Sequence, residues 1–168
     1  RVAHLDIKLE NIVVDALTNV RLIDFGLAVT SSYVDRVCGT DPYVCPEMWR
    51  SRLAVNVYTA DTWSYGVAAF ALYHGVLAWE AARANDERFA RVLAAQAQGA
   101  TPYESVRCSR ASPPWLQREM NATLWVEPRK RHFSDDPWAT HSQSFTVKEG
   151  VKFLDTVYRK EGFECSNV

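Results

Sequence analysis

Eight consecutive residues near the start of the chain, HLDIKLEN from His4 to Asn11, crowd an imidazole, two carboxylates, an ammonium and a carboxamide between apolar side chains. Thirteen residues after Asn11 comes another carboxylate, Asp24, which opens the tripeptide Asp24-Phe25-Gly26. Asp6, Asn11 and Asp24 all carry oxygen donors. Two carboxylates and an amide oxygen suit a hard divalent cation such as Mg²⁺, which keeps waters and shares its coordination with substrate phosphates. Lys8, two residues beyond Asp6, adds a point positive charge. A proton acceptor, a cation and metal ligands gathered in one place describe a phosphoryl-transfer site.

Such a site exists only if the fold brings residues 6, 11 and 24 together. Residues 11–15 (NIVVD) and 20–25 (VRLIDF) are apolar, β-branched runs, and residues 16–19 between them have hairpin length. A hairpin returns the chain to its starting end, so Asp6, Asn11 and Asp24 are expected to converge. Residues 27–46 follow as a mixed, turn-rich loop of about twenty residues, a length that is usually functional.

From Glu47 onward the pattern is helical. It predicts an apolar helix over 60–74 stopped by Gly75, and a helix over 80–98 rich in Ala, Glu and Arg with Gly99 as its cap. A proline- and serine-containing loop over 100–114 and a helix over 115–126 come next. The last helix opens with a Thr146–Glu149 capping box and places Val147, Val151, Leu154 and Tyr158 on one face.

Composition limits the function classes. The 168 residues are 48% hydrophobic and 23% charged, enough for one domain with a sizeable core. A net charge of -1 gives no bulk attraction to nucleic acid or an anionic membrane, so neither is expected as a partner. Residues 67–79, the most apolar stretch, are too short to span a bilayer. Cys38, Cys45, Cys108 and Cys165 form no C-x-x-C pair and read as reduced thiols of a cytoplasmic protein. Trp63, Phe70, Trp79 and Trp125 read as core or groove aromatics.

The chemistry-bearing residues also carry a family resemblance. HLDIKLEN resembles the catalytic loop of eukaryotic protein kinases, H-R-D-L-K-P-E-N, and Asp24-Phe25-Gly26 stands at that family's D-F-G spacing. CGTDPYVCPE (Cys38 to Glu47) is similar to G-T-x-x-Y-x-A-P-E, ADTWSYGV (Ala60 to Val67) to D-x-W-S-x-G, and EPRKR (Glu127 to Arg131) to the late motif that supplies an arginine. Each alone is a weak signal; all of them in order across nearly the whole chain are specific. Lys8 and Thr40 resemble the Ser/Thr rather than the Tyr kinases. The stretches GVLAWEAARANDERFARVLAAQAQG, PPWL and EPRKR are similar to the SH3-domain-binding kinase group.

The resemblance implies a Ser/Thr protein kinase that uses ATP and Mg²⁺ and acts on a protein hydroxyl, with SH3-domain or other protein partners. It implies Asp6 as catalytic base, Lys8 as a contact to the transferred phosphate and to Thr40 of the activation segment, and Asn11 and Asp24 as metal and nucleotide ligands. His4 and Asp61 would orient the catalytic loop, Gly26 would give backbone freedom beside the metal ligand, and Glu47 and Arg131 would form a buried ion pair. The implied fold is mainly α: a kinase-like C-terminal lobe over residues 1–161, with a small β-hairpin at its N-terminal end and a tail at 162–168. The complete domain of the family is α+β.

Departures from the pattern matter as well. The arginine of H-R-D is Leu5, which cannot pair with an activation-loop phosphate, so control through phosphorylation of Thr30, Ser31, Ser32 or Tyr33 is not expected. The proline of K-P-E-N is Leu9 and the alanine of A-P-E is Cys45. The seven glycines form no G-x-G-x-x-G, and no residue before His4 is a lysine. The chain therefore reads as the C-terminal lobe alone, a fragment beginning in mid-domain and inactive by itself. The rival reading is a non-catalytic, pseudokinase-like docking module. An in-frame Gly-rich loop and strand lysine upstream would separate the two in favour of the enzyme.

Overall fold

The computed structural model of the chain describes residues 1–16, 19–50, 54–108 and 110–133. The helix expected from the Thr146–Glu149 box, the expected tail and Cys165 lie outside the described residues.

Strands β1 (Ile12–Val14) and β2 (Val20–Leu22) pair antiparallel, with Ile12 opposite Leu22 and Val14 opposite Val20. Both are shorter than the apolar runs in the sequence. Asn11 closes a 3₁₀ turn over Leu9–Asn11, and Asp24 adopts a left-handed backbone at φ 59°, which ends strand geometry on the other side. Asp15 holds the closed end, its Oδ1 accepting from the Asn19 amide at 2.9 Å.

The segment over 27–46 is more ordered than a plain loop. Val29 bridges Ala3, and β3 (Tyr33–Val34) pairs with β4 (Val55–Asn56), twenty-two residues on. A 3₁₀ turn over Asp41–Tyr43 leads into α1 (Pro46–Arg50). Two-residue pairings leave no periodicity to read in a sequence, which is why this order is invisible there.

Helix α2 (Val57–His74) is the axis of the molecule. It starts three residues before the expected position because the Asn56 side chain caps it, accepting from the amides of Tyr58 and Thr59. Gly75, left-handed at φ 71°, ends it. Val57, Ala60, Trp63, Val67, Phe70 and Ala71 are buried, but so are Thr62, Ser64, Gly66 and Ala68 on its other sides, as befits a helix enclosed by the rest of the chain. Trp63 stacks on Trp79 with centroids 5.4 Å apart, and Phe89 meets both rings edge-on.

Helix α3 (Glu87–Ala97) begins seven residues later than its composition predicts. The Asp86 carboxylate is the cause: it accepts from the Phe89 amide at 2.9 Å and from those of Glu80 and Ala81 at 2.8 and 3.3 Å, so it caps the helix and folds the preceding stretch into turns. Gly99 closes α3, its amide reaching Gln96 while that of Ala100 reaches back to Ala95. The expected loop over 100–114 contains a short helix, α4 (Pro102–Ser105), with a capping box between Thr101 and Glu104. Helix α5 (Pro114–Thr123) packs its buried Leu116, Met120 and Thr123 toward α2. Cys38, Cys45 and Cys108 are free thiols. Among the described residues, no helix is long and apolar enough to cross a membrane.

Candidate active site

The short run from His4 to Asn11 is anchored from below by α2. Asp61, on its first turns, accepts the His4 amide at 2.7 Å and the Leu5 amide at 2.8 Å, one on each carboxylate oxygen. Burial raises the Asp61 pKa, and these two N–H groups offset that only in part. The His4 ring continues the support. Its Nδ1 lies 3.2 Å from the Asp6 amide and its Nε2 2.9 Å from the Ile23 carbonyl, so the tautomer with the proton on Nε2 satisfies both. The ring also meets Phe25 edge-on at 4.8 Å, which joins the His4–Asn11 segment to the Asp24-Phe25-Gly26 segment.

On this platform Asp6 is the centre of a closed polar network. Its Oδ2 takes the Lys8 ammonium at 2.9 Å and the Asn11 amide nitrogen at 3.2 Å. Its Oδ1 accepts from the Thr40 hydroxyl at 2.8 Å, and that hydroxyl accepts from Lys8 at 2.9 Å. The Asp6 carbonyl takes a second bond from Asn11, at 2.9 Å. Burial by itself would raise the Asp6 pKa, but the bonds from Lys8, Thr40 and Asn11 outweigh it and hold the carboxyl below its ordinary range. Asp6 is thus a carboxylate at neutral pH, with Oδ2 filled and Oδ1 carrying one described donor.

Asp24 sits apart. The backbone brings it close, since the Ile23 amide donates to the Asn11 carbonyl at 2.9 Å. Its exposed side chain, however, bonds within the described residues only to the Gly26 amide, at 3.2 Å. Gly26 differs from its sequence reading. The left-handed residue is Asp24, and Gly26 serves by lacking a Cβ, which would stand 3.1 Å from Asp24 Oδ1. For a cation the donor set fits. Asn11 spends its amide nitrogen on Asp6, which leaves Oδ1 as its ligand atom, and Asp24 offers an exposed carboxylate. A pair of protein oxygens is what Mg²⁺ needs when phosphates and waters complete its shell. Among the described residues, no group of three or more His, Cys, Asp or Glu side chains is placed to hold a metal.

Glu47 and Arg131 pair outside this network. Arg131 Nη1 and Nη2 lie 2.6 and 2.8 Å from Glu47 Oε1 and Oε2. Its other donors reach the carbonyls of Trp125, Thr59 and Val126, and its plane lies over Trp63 at 4.7 Å. The arginine side chain is fully buried and that of the glutamate 18% exposed.

Two contacts had no sequence signal. The Trp79 indole donates to the Pro42 carbonyl at 2.9 Å, and the Ser64 hydroxyl donates to the Tyr43 carbonyl at 2.8 Å. Both pin the turn that presents Thr40 to Asp6. In sequence, Trp79 shows only an aromatic in an apolar run.

The chain is 36% identical over 94 residues to a serine/threonine-protein kinase, grp, of Drosophila melanogaster, covering 52% of this chain and 18% of that protein. It is 29% identical over 165 residues to the maternal embryonic leucine zipper kinases of Xenopus laevis and Danio rerio, covering 90% of this chain and 23% and 22% of theirs. The chain thus spans about a fifth of the length of these relatives. Residues 1–140 match the protein kinase domain family, so the chain belongs to that family as a eukaryotic-type Ser/Thr kinase domain.

Proposed function

We propose that these residues form the catalytic-loop lobe of a Ser/Thr protein kinase that transfers the ATP γ-phosphoryl group to a protein hydroxyl. The observation that carries this reading is the closed Asp6–Lys8–Thr40–Asn11 network. Asp6 Oδ1, the oxygen with spare capacity, receives the proton of the substrate hydroxyl as that oxygen bonds to the γ-phosphorus. The bond to the bridging oxygen breaks and ADP leaves. A carboxylate held below its ordinary pKa is a weak base, which suits a loose transition state in which positioning and charge stabilisation dominate. Lys8, already paired with Asp6 and Thr40, is placed to neutralise charge on the moving phosphoryl group. Asn11 Oδ1 and the Asp24 carboxylate would hold Mg²⁺, which supplies electrostatic stabilisation of the phosphates.

The 168 residues contain no Gly-rich loop and no strand lysine in the family's arrangement. In this reading the rest of the nucleotide cradle comes from outside them. The kinship to the SH3-domain-binding group, a domain over 1–161 with a tail, protein partners of the SH3 class and a cytoplasmic location belong to the same proposal.

The test is phosphoryl transfer from labelled ATP to a generic protein substrate, measured on the longest protein that contains this chain and on the 168 residues alone. The first is expected to be active and the second silent. Asp6→Asn and Asp24→Asn are each expected to cost several orders of magnitude in turnover. Near-normal turnover in either variant would mean the site is misassigned. Robust transfer by the 168 residues would remove the need for an external cradle.

A further inference from the structure

A cleft open to solvent and about 360 Å³ in volume lies along α4 and the residues that follow it, lined by Tyr103, Glu104, Val106, Arg107, Cys108 and Arg110. That is the lower end of the size range of ligand sites. Two arginines against one glutamate leave its lining with a net positive charge. Arg107 and Arg110 are both exposed, and among the described residues neither pairs with a carboxylate. The lone acid on the rim, Glu104, is turned to the α4 cap, where its Oε2 accepts from the Thr101 amide and hydroxyl at 2.8 and 2.7 Å.

The walls hold this arrangement in place. The Tyr103 amide is fixed by Asn121 Oδ1 at 2.9 Å. The Arg110 guanidinium lies over the Tyr73 ring at 4.7 Å, and Tyr73 meets Trp115 edge-on. His74, the next residue of α2, is 2.9 Å from the Ser112 hydroxyl. Its pKa is depressed first by burial and then by the Arg110 charge. An arginine stacked on an aromatic face keeps its N–H edge free for a planar or tetrahedral anion and loses little freedom on binding one.

We propose that this cleft docks the anionic side chains of an extended protein segment, carboxylates or phosphates, across Arg107 and Arg110, with the half-buried Tyr103 ring receiving the apolar parts between them. The inference goes beyond phosphoryl transfer and does not depend on it, because its readout is binding.

The test is fluorescence anisotropy with the 168-residue chain and three labelled peptides: one with a central run of glutamates, one with phosphoserines there, one with glutamines. Saturable binding of a glutamate or phosphoserine peptide is expected, at least about tenfold tighter than the glutamine peptide and weakening as salt is raised. The peptide that binds best tells carboxylate from phosphate. The double variant Arg107→Gln/Arg110→Gln is expected to lose about tenfold in affinity, while Arg129→Gln, an exposed arginine elsewhere, keeps it. Equal affinity for the glutamine peptide, no saturable binding of any peptide, or an unchanged double variant would overturn the proposal. So would displacement of the label by inorganic phosphate as readily as by unlabelled peptide.

Discussion

Glu47 and Arg131 lie eighty-four residues apart in the chain and meet as a bidentate pair in which all five guanidinium N–H donors are used. The pair ties α1 to the turn after α5, with Trp63 of α2 beneath it. Because the arginine is buried, breaking the pair leaves a carboxylate facing a site built for a cation. Arg131→Ala is expected to lower stability by about 3–5 kcal/mol, a large share of the roughly 5–15 kcal/mol of a typical domain. Arg129→Ala, which removes the same charge from an exposed position, is expected to change it by no more than about 0.5 kcal/mol. Urea midpoints of the two variants decide. Equal, small shifts would show that the pair contributes nothing.

Asp86 makes stability depend on pH. Burial would raise its pKa, but backbone N–H groups of Phe89, Glu80, Ala81 and Arg88 outweigh that and lower it. A lowered folded-state pKa contributes stability above the unfolded value, and the contribution disappears as pH falls through the folded one. The loss therefore falls below about pH 4. Asp86→Ala is expected to cost about 1–2 kcal/mol at neutral pH, as for other N-caps. Asp86→Asn retains a capping oxygen and should recover most of that, while showing less acid sensitivity below about pH 4 than the parent. Thermal melts of the three proteins at neutral and acidic pH measure both effects. An Asp86→Asn protein that is as acid-sensitive as the parent would exclude Asp86 as the source.

How much of this was legible in the sequence depended on whether the determinant was local. The hairpin and the meeting of Asp6 with Asn11 follow from spacing and two short apolar runs within twenty residues, and both could be read. The start of α3 could not. Residues 80–86 have helix-forming composition, and what stops them is one carboxylate folding back on two amides. Helix α4 carried its signal in the open, since the sequence has at Thr101 and Glu104 the same T-x-x-E pattern that it has at residues 146–149, but the neighbouring prolines pointed to loop. The contacts of Trp79 with Pro42 and Ser64 with Tyr43 span 37 and 21 residues, and nothing in either side chain names its partner.

The segment from Gly39 to Tyr43 has anchors that need no phosphate. Leu5 is buried where the family's arginine would meet one, and its carbonyl lies against Gly39 so closely that an added Cβ would stand 2.8 Å away. Thr40, Pro42 and Tyr43 are then held by Asp6, Trp79 and Ser64. Under the kinase reading, phosphatase treatment of the whole protein is expected to leave its turnover unchanged. Loss of activity, with recovery when Thr30, Ser31, Ser32 or Tyr33 is phosphorylated again, would count decisively against this.

The packing of α2 on α5 turns on one glycine. Placing an alanine in a helix interior in place of glycine gains about 1 kcal/mol of propensity, so Gly66→Ala would stabilise α2 if space allowed. Space does not allow it. The new Cβ would overlap Thr123 Oγ1 and come within 2.8 Å of Leu124 Cδ2. Thr123 has no exposure and its hydroxyl donates to the Glu119 carbonyl at 2.6 Å, so it cannot swing aside without breaking that bond. Overpacking of this kind costs about 1–3 kcal/mol, more than the propensity returns, and the helices must separate. Gly66→Ala is therefore expected to lower the urea midpoint. Thr123→Ala removes the obstructing hydroxyl, so the double variant should be more stable than the sum of the two single effects, by about 0.5–2 kcal/mol of coupling. Gly99→Ala is the contrasting case. It meets no atom within 4 Å but must hold φ 94°, so its cost is backbone strain and Thr123→Ala should leave it unchanged. A Gly66→Ala protein as stable as the parent, or strictly additive effects with Thr123→Ala, would show that the close approach of α2 and α5 at this point is not what sets their packing.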